Sequence, residues 1–390
     1  MKKYKLGVIS SHPIQYQVPL WQRLALHPEI DLTVIYSSDF GVNRPIIAEF
    51  QVPYLWDIPL LEGYNYHFLR NVSFKPSLRG FWGIVNSHLY SFLKKVRPEA
   101  LMIHGYARFV DWHALLSAKI LGIRILFRGE SSLLTRSGWG SRIRRLLVAK
   151  TFLKNVDAFL AIGTCNKEFY LKFGVQPERI FFCPYTVDND FFRNRIHEVK
   201  DDVRRRLGLP IDRIIFLGIG SMIPRKGIHD LLAAYGQMRR NHEAAVVWVG
   251  EGTERAQLES QRNSLPTNAK VIFTGFKNQT ELPDYYAAAD VFILPSYEET
   301  WGLVINEAMN FSLPIVTTDR VAGAIDLVVP STNGFFYRAG DVKQLTGILE
   351  SLLDAKYCRT LGKTSLARIK TWSMEETVQG ILEALRRTIH

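Results

Sequence analysis

Cysteine is scarce. The three in 390 residues, Cys165, Cys183 and Cys358, form no C-x-x-C pair, which argues against a disulfide framework or a zinc site and fits a reducing compartment. No apolar run approaches the roughly 18 residues that a membrane-spanning helix needs. The run 6–9 behind Lys2, Lys3 and Lys5 is too short for a signal-peptide core, so no secretion signal is expected. Low-complexity tracts and solenoid-length repeats are also missing. Acidic residues are outnumbered, 37 against 49 Lys plus Arg, and the net charge of +12 favours anionic partners: nucleic acid, anionic lipid or phosphorylated small molecules.

A hydrophobic content of 47% with 22% charged residues excludes wholesale disorder, and 390 residues suit two domains better than one. The densest basic stretch is 136–154, where Arg142, Arg144, Arg145, Lys150 and Lys154 alternate with Leu146, Leu147, Val148, Phe152 and Leu153. It reads either as a solvated helix face or as a basic amphipathic helix for an anionic membrane surface. No recognised module accompanies the charge, so nucleic acid is not an expected partner. The expected location is the cytoplasm, either free or peripheral on the inner face of the cell membrane.

Short β-branched runs alternate with helical patterns along the chain. In the first half, strands are predicted at 5–10, 32–36, 100–104, 124–128 and 158–162, with helices at 18–26 and 112–121. In the second half, strands fall at 214–217, 245–249, 271–273, 291–294 and 315–317, with helices at 228–239, 282–288 and 304–309. This alternation predicts parallel β-α-β units and an α/β fold of two Rossmann-like domains facing each other across a cleft. The expected division is an amino-terminal domain 1–195, a charged linker 196–212, a carboxy-terminal domain 213–372, and a last helix within 373–390 returning to the first domain.

Three segments carry chemistry. The run 218–227, G-I-G-S-M-I-P-R-K-G, follows a strand and precedes a helix, and Gly220 with Arg225 and Lys226 makes it phosphate-shaped; it is neither G-x-G-x-x-G nor a P-loop. It reads as an anion site or as a helix-start turn with exposed cations. The run 249–252, V-G-E-G, is a tight turn or a ligand contact. Most informative is 294–308, where a strand ends, a loop carries Glu298, Glu299 and Thr300, and a helix begins near Gly302 with Glu307 inside it. Glu299 and Glu307 would lie roughly 12 Å apart if helical rise applied throughout, so the two carboxylates can bracket a ligand. The N–H groups of Gly302, Leu303 and Val304 would suit a pyrophosphate. A helix N-cap would account for Glu298 or Glu299 but not for Glu307.

The R-K-G loop, V-G-x-G, F-T-G-F at 273–276, and the two glutamates around T-W-G-L-V-I-N resemble retaining glycosyltransferases of family 4, the glycosyl transferases group 1, of GT-B fold. The likeness extends to P-Y-T-V-D at 184–188 with Phe191, and to Asn333-Gly334. It implies transfer of a sugar from a UDP- or GDP-sugar to a hydroxyl acceptor, a saccharide or lipid-linked glycan in bacterial polysaccharide or glycolipid assembly, by a hexosyltransferase-type enzyme that needs no metal or other cofactor. Arg225 and Lys226 would grip the donor diphosphate, Glu299 the sugar hydroxyls, Glu307 the ribose, and Phe276 would lie by the base. Asp188-Asn-Asp190 matches a D-x-D motif in letters only.

The first domain would bind acceptor. His12 and Gln15, in the loop after the first strand, and His104, at the end of another, are candidates there. The Gly-Gly that the family usually carries in the first loop is absent. Many members also place a histidine after the strand that here ends Arg128-Gly-Glu130, so Arg128 and Glu130 are read either as contacts to donor or acceptor hydroxyls or as a structural pair. Sugar-nucleotide 2-epimerases and non-catalytic sugar-nucleotide-binding subunits share this fold, and product analysis without acceptor, or turnover with any acceptor, separates them.

Overall fold

The computed structural model describes residues 3–46, 52–134, 149–195 and 200–389. Arg142, Arg144, Arg145 and Leu146 to Val148 of the predicted basic helix lie outside these residues. Two compact units emerge. One comprises 1–45, 58–185 and 374–390, the other 46–57 and 186–373.

The first unit is built on a seven-stranded sheet of order β3-β2-β1-β4-β5-β6-β7, in which every pair is parallel. Its strands are β1 (Tyr4–Ser10), β2 (Ile30–Tyr36), β3 (Tyr66–Phe68), β4 (Ala100–His104), β5 (Arg124–Arg128), β6 (Ala158–Ala161) and β7 (Ile180–Phe182). Central strands are buried on both faces, as β4 and β6 are, because helices cover each side of a parallel sheet; their sequences are therefore apolar runs rather than alternating ones. Ile103, Leu101, Phe127, Phe159 and Phe152 sit in one cluster of this core.

The second unit has a six-stranded sheet of order β10-β9-β8-β11-β12-β13, again parallel throughout. The strands are β8 (Ile214–Ile219), β9 (Ala244–Val249), β10 (Val271–Phe273), β11 (Val291–Leu294), β12 (Ile315–Thr318) and β13 (Gly334–Tyr337). In both sheets the winding direction reverses once, between β1 and β4 and between β8 and β11. Loops leaving the carboxyl ends of strands diverge at such a point and leave room for a ligand.

The division differs from the sequence reading at two places. Residues read as linker are structure: the helix Lys200–Arg206 is pinned to the second unit by Arg204, buried, whose guanidinium donates to Ala288 O at 2.8 Å and pairs with Asp290 at 2.5 Å. The boundary lies instead between Tyr185 and Thr186, and the segment 46–57 from the first half of the sequence belongs to the second unit. The last helix, Met374–Ile389, packs in the first unit, where Thr377 Oγ1 donates to Pro184 O at 2.8 Å and Arg386 pairs with Glu29 at 2.6 Å.

Candidate active site

The loops after β8 and β11 meet at the reversal point of the second sheet. Gly227 makes the meeting close. Its φ is +65°, and a Cβ there would stand 2.2 Å from Pro295 O, so only glycine lets the two loops approach this far. The Tyr297 N–H donates to Arg225 O at 2.8 Å and ties them. As a result Lys226 Nζ lies 2.6 Å from Glu299 Oε2, and Arg225 Nη1 lies 3.3 Å from the same oxygen. Lys226 and Glu299 are largely buried while Arg225 is half-exposed. Two cations thus converge on one carboxylate beside a glycine turn, an arrangement that suits an anion. Gly220 adjoins them: a Cβ there would sit 3.5 Å from Lys226 Cε. The V-G-E-G turn supports this loop from β9, with the Met222 N–H donating to Glu251 O at 2.7 Å.

Glu307 is placed differently. It lies in the helix Leu303–Asn310, 8% exposed, and its Oε2 accepts from the Tyr286 hydroxyl at 2.6 Å. Burial pushes its carboxyl up to about 7, against a smaller opposing effect of the tyrosine hydrogen bond. No described contact joins Glu307 to Glu299. Gly302 caps this helix at φ +92°, and Leu303 and Val304 open it. Thr300 lies in the preceding loop.

Phe276 has a partner that the sequence did not suggest. The ring of Tyr54, carried by the segment 46–57, stacks on it with centroids 4.7 Å apart and planes at 29°. Asn278 Nδ2 donates to Leu55 O at 2.7 Å and the Thr280 N–H to Asp57 Oδ2 at 3.2 Å. Nothing local in V-P-Y-L-W-D signals this docking, because the contacts are with residues more than two hundred positions away.

In the first unit, His12, His104, Arg128 and Glu130 do come together. They line one cavity of about 370 Å³ at the carboxyl ends of β1, β4 and β5, with Arg108, Tyr16 and Tyr185. Gln15 is not among the lining residues; its Oε1 is buried without a hydrogen-bond partner, and the neighbouring Gln17 faces the cavity instead. Arg128 and Glu130 meet through Tyr185. The Arg128 guanidinium lies 5.0 Å from the centre of the tyrosine ring, while the tyrosine hydroxyl donates to Glu130 Oε1. Arg128 is 6% exposed, donates to Pro184 O at 3.1 Å, and keeps a buried Nε with no partner. His104 Nε2 is likewise buried and unpartnered. Burial, reinforced by Arg108 at His12 and by Arg128 at His104, lowers both imidazoles to about 3, so both are neutral at physiological pH. Arg108 and Tyr185 went unread as site residues, although Tyr185 sits inside the P-Y-T-V-D motif.

Residues 199–367 match the family model "Glycosyl transferases group 1". Most of the second unit is therefore similar to the group 1 glycosyltransferases. A D-inositol 3-phosphate glycosyltransferase of Acidothermus cellulolyticus is 30% identical over 55% of this chain and 49% of its own length. An alpha-D-kanosaminyltransferase of Streptomyces kanamyceticus is 28% identical over 71% of this chain and 76% of its own. The chain spans about half or less of the length of several curated relatives that it matches, the Acidothermus enzyme among them. In fold, HepE of Anabaena in complex with UDP superposes with a TM-score of 0.75 at 18% identity, covering 99% of this chain and 100% of that one. A sucrose-phosphate synthase of Thermosynechococcus elongatus gives 0.73 at 22% identity, with 99% of each chain covered. The two structural likenesses show the GT-B fold for the pair of units.

Proposed function

We propose that the protein is a retaining glycosyltransferase that moves a sugar from a nucleoside-diphosphate sugar to a hydroxyl acceptor in glycan or glycolipid assembly. The observation that carries this reading is the convergence of Arg225 and Lys226 on Glu299 at the reversal point of a group 1 glycosyltransferase sheet. Support comes from HepE, whose structures hold UDP and UDP-glucose.

In this reading the donor diphosphate binds the cationic Arg225–Lys226 loop, and the sugar hydroxyls compete for Glu299. The bond between the anomeric carbon and the diphosphate oxygen breaks as the acceptor oxygen bonds to that carbon on the same face. The acceptor proton passes to the leaving phosphate, so no further carboxylate is needed as base. Fixed cations stabilise charge that grows on the leaving oxygen, which is where preorganised electrostatics lowers a barrier most. Glu307 would hold the ribose through Oε1, since Oε2 is committed to Tyr286. The cavity of the first unit would take the acceptor; His12 and His104, both neutral, would serve there as hydrogen-bonding groups rather than as proton donors.

Calorimetry with UDP and GDP tests the donor half. Arg225→Ala and Lys226→Ala are each expected to weaken nucleoside diphosphate binding by about 1.5–3 kcal/mol, the scale of a lost charge-assisted contact. Unchanged affinity would remove the loop from the site. Because the two cations supply the positive charge, turnover is expected to survive a chelator, and a loss restored by Mg2+ would count against the mechanism.

Glu130→Gln tests the other half. Tyr185 can still donate to the amide oxygen, so the fold should keep its melting temperature, while a tenfold lower kcat/KM, about 1.4 kcal/mol, is expected if the carboxylate contacts substrate. A lower melting temperature with normal turnover of the folded fraction would make Glu130 scaffold.

A further inference from the structure

We propose that the first unit carries a membrane-docking surface, formed by the loop 70–85 and one face of the helix Phe109–Leu121, which seats on an anionic lipid bilayer. The inference is independent of the donor chemistry.

Charge points to it first. Between Glu62 and Glu99 the chain has no Asp or Glu at all, yet it carries Arg70, Lys75, Arg79, Lys94, Lys95 and Arg97. Within the same stretch Phe74 is 96% exposed and Trp82 is 63% exposed. Large rings are ordinarily buried, and two of them in water beside one another need a reason. They line a single groove of about 640 Å³, with Lys75 and Arg79 also in its lining.

The loop is built to present them. Asn71 staples its two ends: Nδ2 donates to Gly83 O at 3.0 Å, and Oδ1 accepts from the N–H groups of Ser73 and Val85, both at 3.0 Å. Gly83 is required for closure, since a Cβ there would lie 2.3 Å from Ser77 O. The apolar surface continues onto the helix. Trp82 stacks on Phe109 at 4.9 Å and 26°, Phe81 meets Trp82 edge-on at 5.0 Å, and the Phe109 N–H donates to Phe81 O at 2.8 Å. At about 100° per residue, positions 113, 116 and 120 share the helix face of Phe109. Two of them are exposed aliphatics, Leu116 at 60% and Ile120 at 63%.

The chemistry favours a bilayer over a protein partner. Protein interfaces are depleted in lysine at their centres, whereas exposed Trp and Phe beside Lys and Arg suit the headgroup boundary, where rings reach the acyl region and cations meet phosphates.

Cosedimentation of the full chain with vesicles of phosphatidylcholine, alone or mixed with phosphatidylglycerol, tests the proposal. Binding to the mixed vesicles is expected, weakened by salt. Lys75→Gln and Arg79→Gln should each lower it about fivefold. Phe74→Ser/Trp82→Ser should lower it on the order of tenfold or more. Should the double variant not fold, Phe74→Ser alone gives the readout, because that ring contributes almost nothing to a core. UDP affinity, measured alongside, should not change in any variant, so the donor reading and this one fail separately. Equal binding to both vesicle types would overturn the proposal, as would no binding or full binding by the double variant. A dimer that Phe74→Ser/Trp82→Ser dissociates, with no vesicle binding, would make the face a protein interface instead.

Discussion

Glu299→Gln is expected to lower kcat by a factor on the order of 100 while UDP affinity stays the same or rises. The two effects separate because Glu299 acts on both sides of the chemistry. In the ground state its carboxylate pairs with Lys226 at 2.6 Å and Arg225 at 3.3 Å, so removing the charge strengthens the pull of both cations on a diphosphate. In the transition state the same cations must be held in place, and the amide no longer fixes them through charge-assisted hydrogen bonds. The sugar also loses its anionic acceptor. A UDP titration and steady-state kinetics on the same preparation distinguish these contributions, and near-full turnover would end the assignment of Glu299.

Glu307→Gln should remove a pH dependence of stability worth about 3 kcal/mol. The carboxyl is raised by burial from an ordinary 4.5 to about 7, so between those values the folded chain keeps a proton that the unfolded chain has released. Stability contributed by the protonated group is complete below about 4.5 and is lost as pH rises through about 7. The difference in unfolding free energy between variant and parent is therefore expected to move in favour of the variant over this window and then level off. Asp111, which burial raises to about 6, titrates alike in both proteins and cancels. Denaturant titrations at pH 5 and pH 8 measure the difference. An identical value at the two pH values would show that Glu307 is ionised in the fold throughout.

What could be read from the chain follows a physical line. Strands at the centres of the sheets, such as β4 and β11, are buried on both faces and write themselves as apolar runs. The three strands that went unread, β3, β7 and β13, all lie at sheet edges and are three or four residues long; β3, Tyr-His-Phe, is largely exposed. An edge strand pairs on one side only, so little of its sequence is dictated by burial. The site divides similarly. Arg225, Lys226 and Glu299 each sit in a strand-loop-helix segment whose local pattern announces it. Tyr54 on Phe276, Tyr286 on Glu307, and Tyr185 between Arg128 and Glu130 are contacts of high sequence separation, and no local pattern encodes them.

The interleaving of the two units bears on how the protein is made. The chain changes unit at 45/46, 57/58, 185/186 and 373/374. The helix Met374–Ile389 seats Ile381, Leu382 and Leu385 in the first unit, with Gly380 so near Phe182 O that a Cβ would stand 2.0 Å from it. A ribosome adding roughly 5–20 residues per second emits this helix on the order of ten to forty seconds after Tyr185. Throughout that interval the unit begun first lacks its covering helix, while the unit begun second is being completed. The last residues of the first unit are thus synthesised after the second unit is complete, opposite to the usual amino-to-carboxy order of domains.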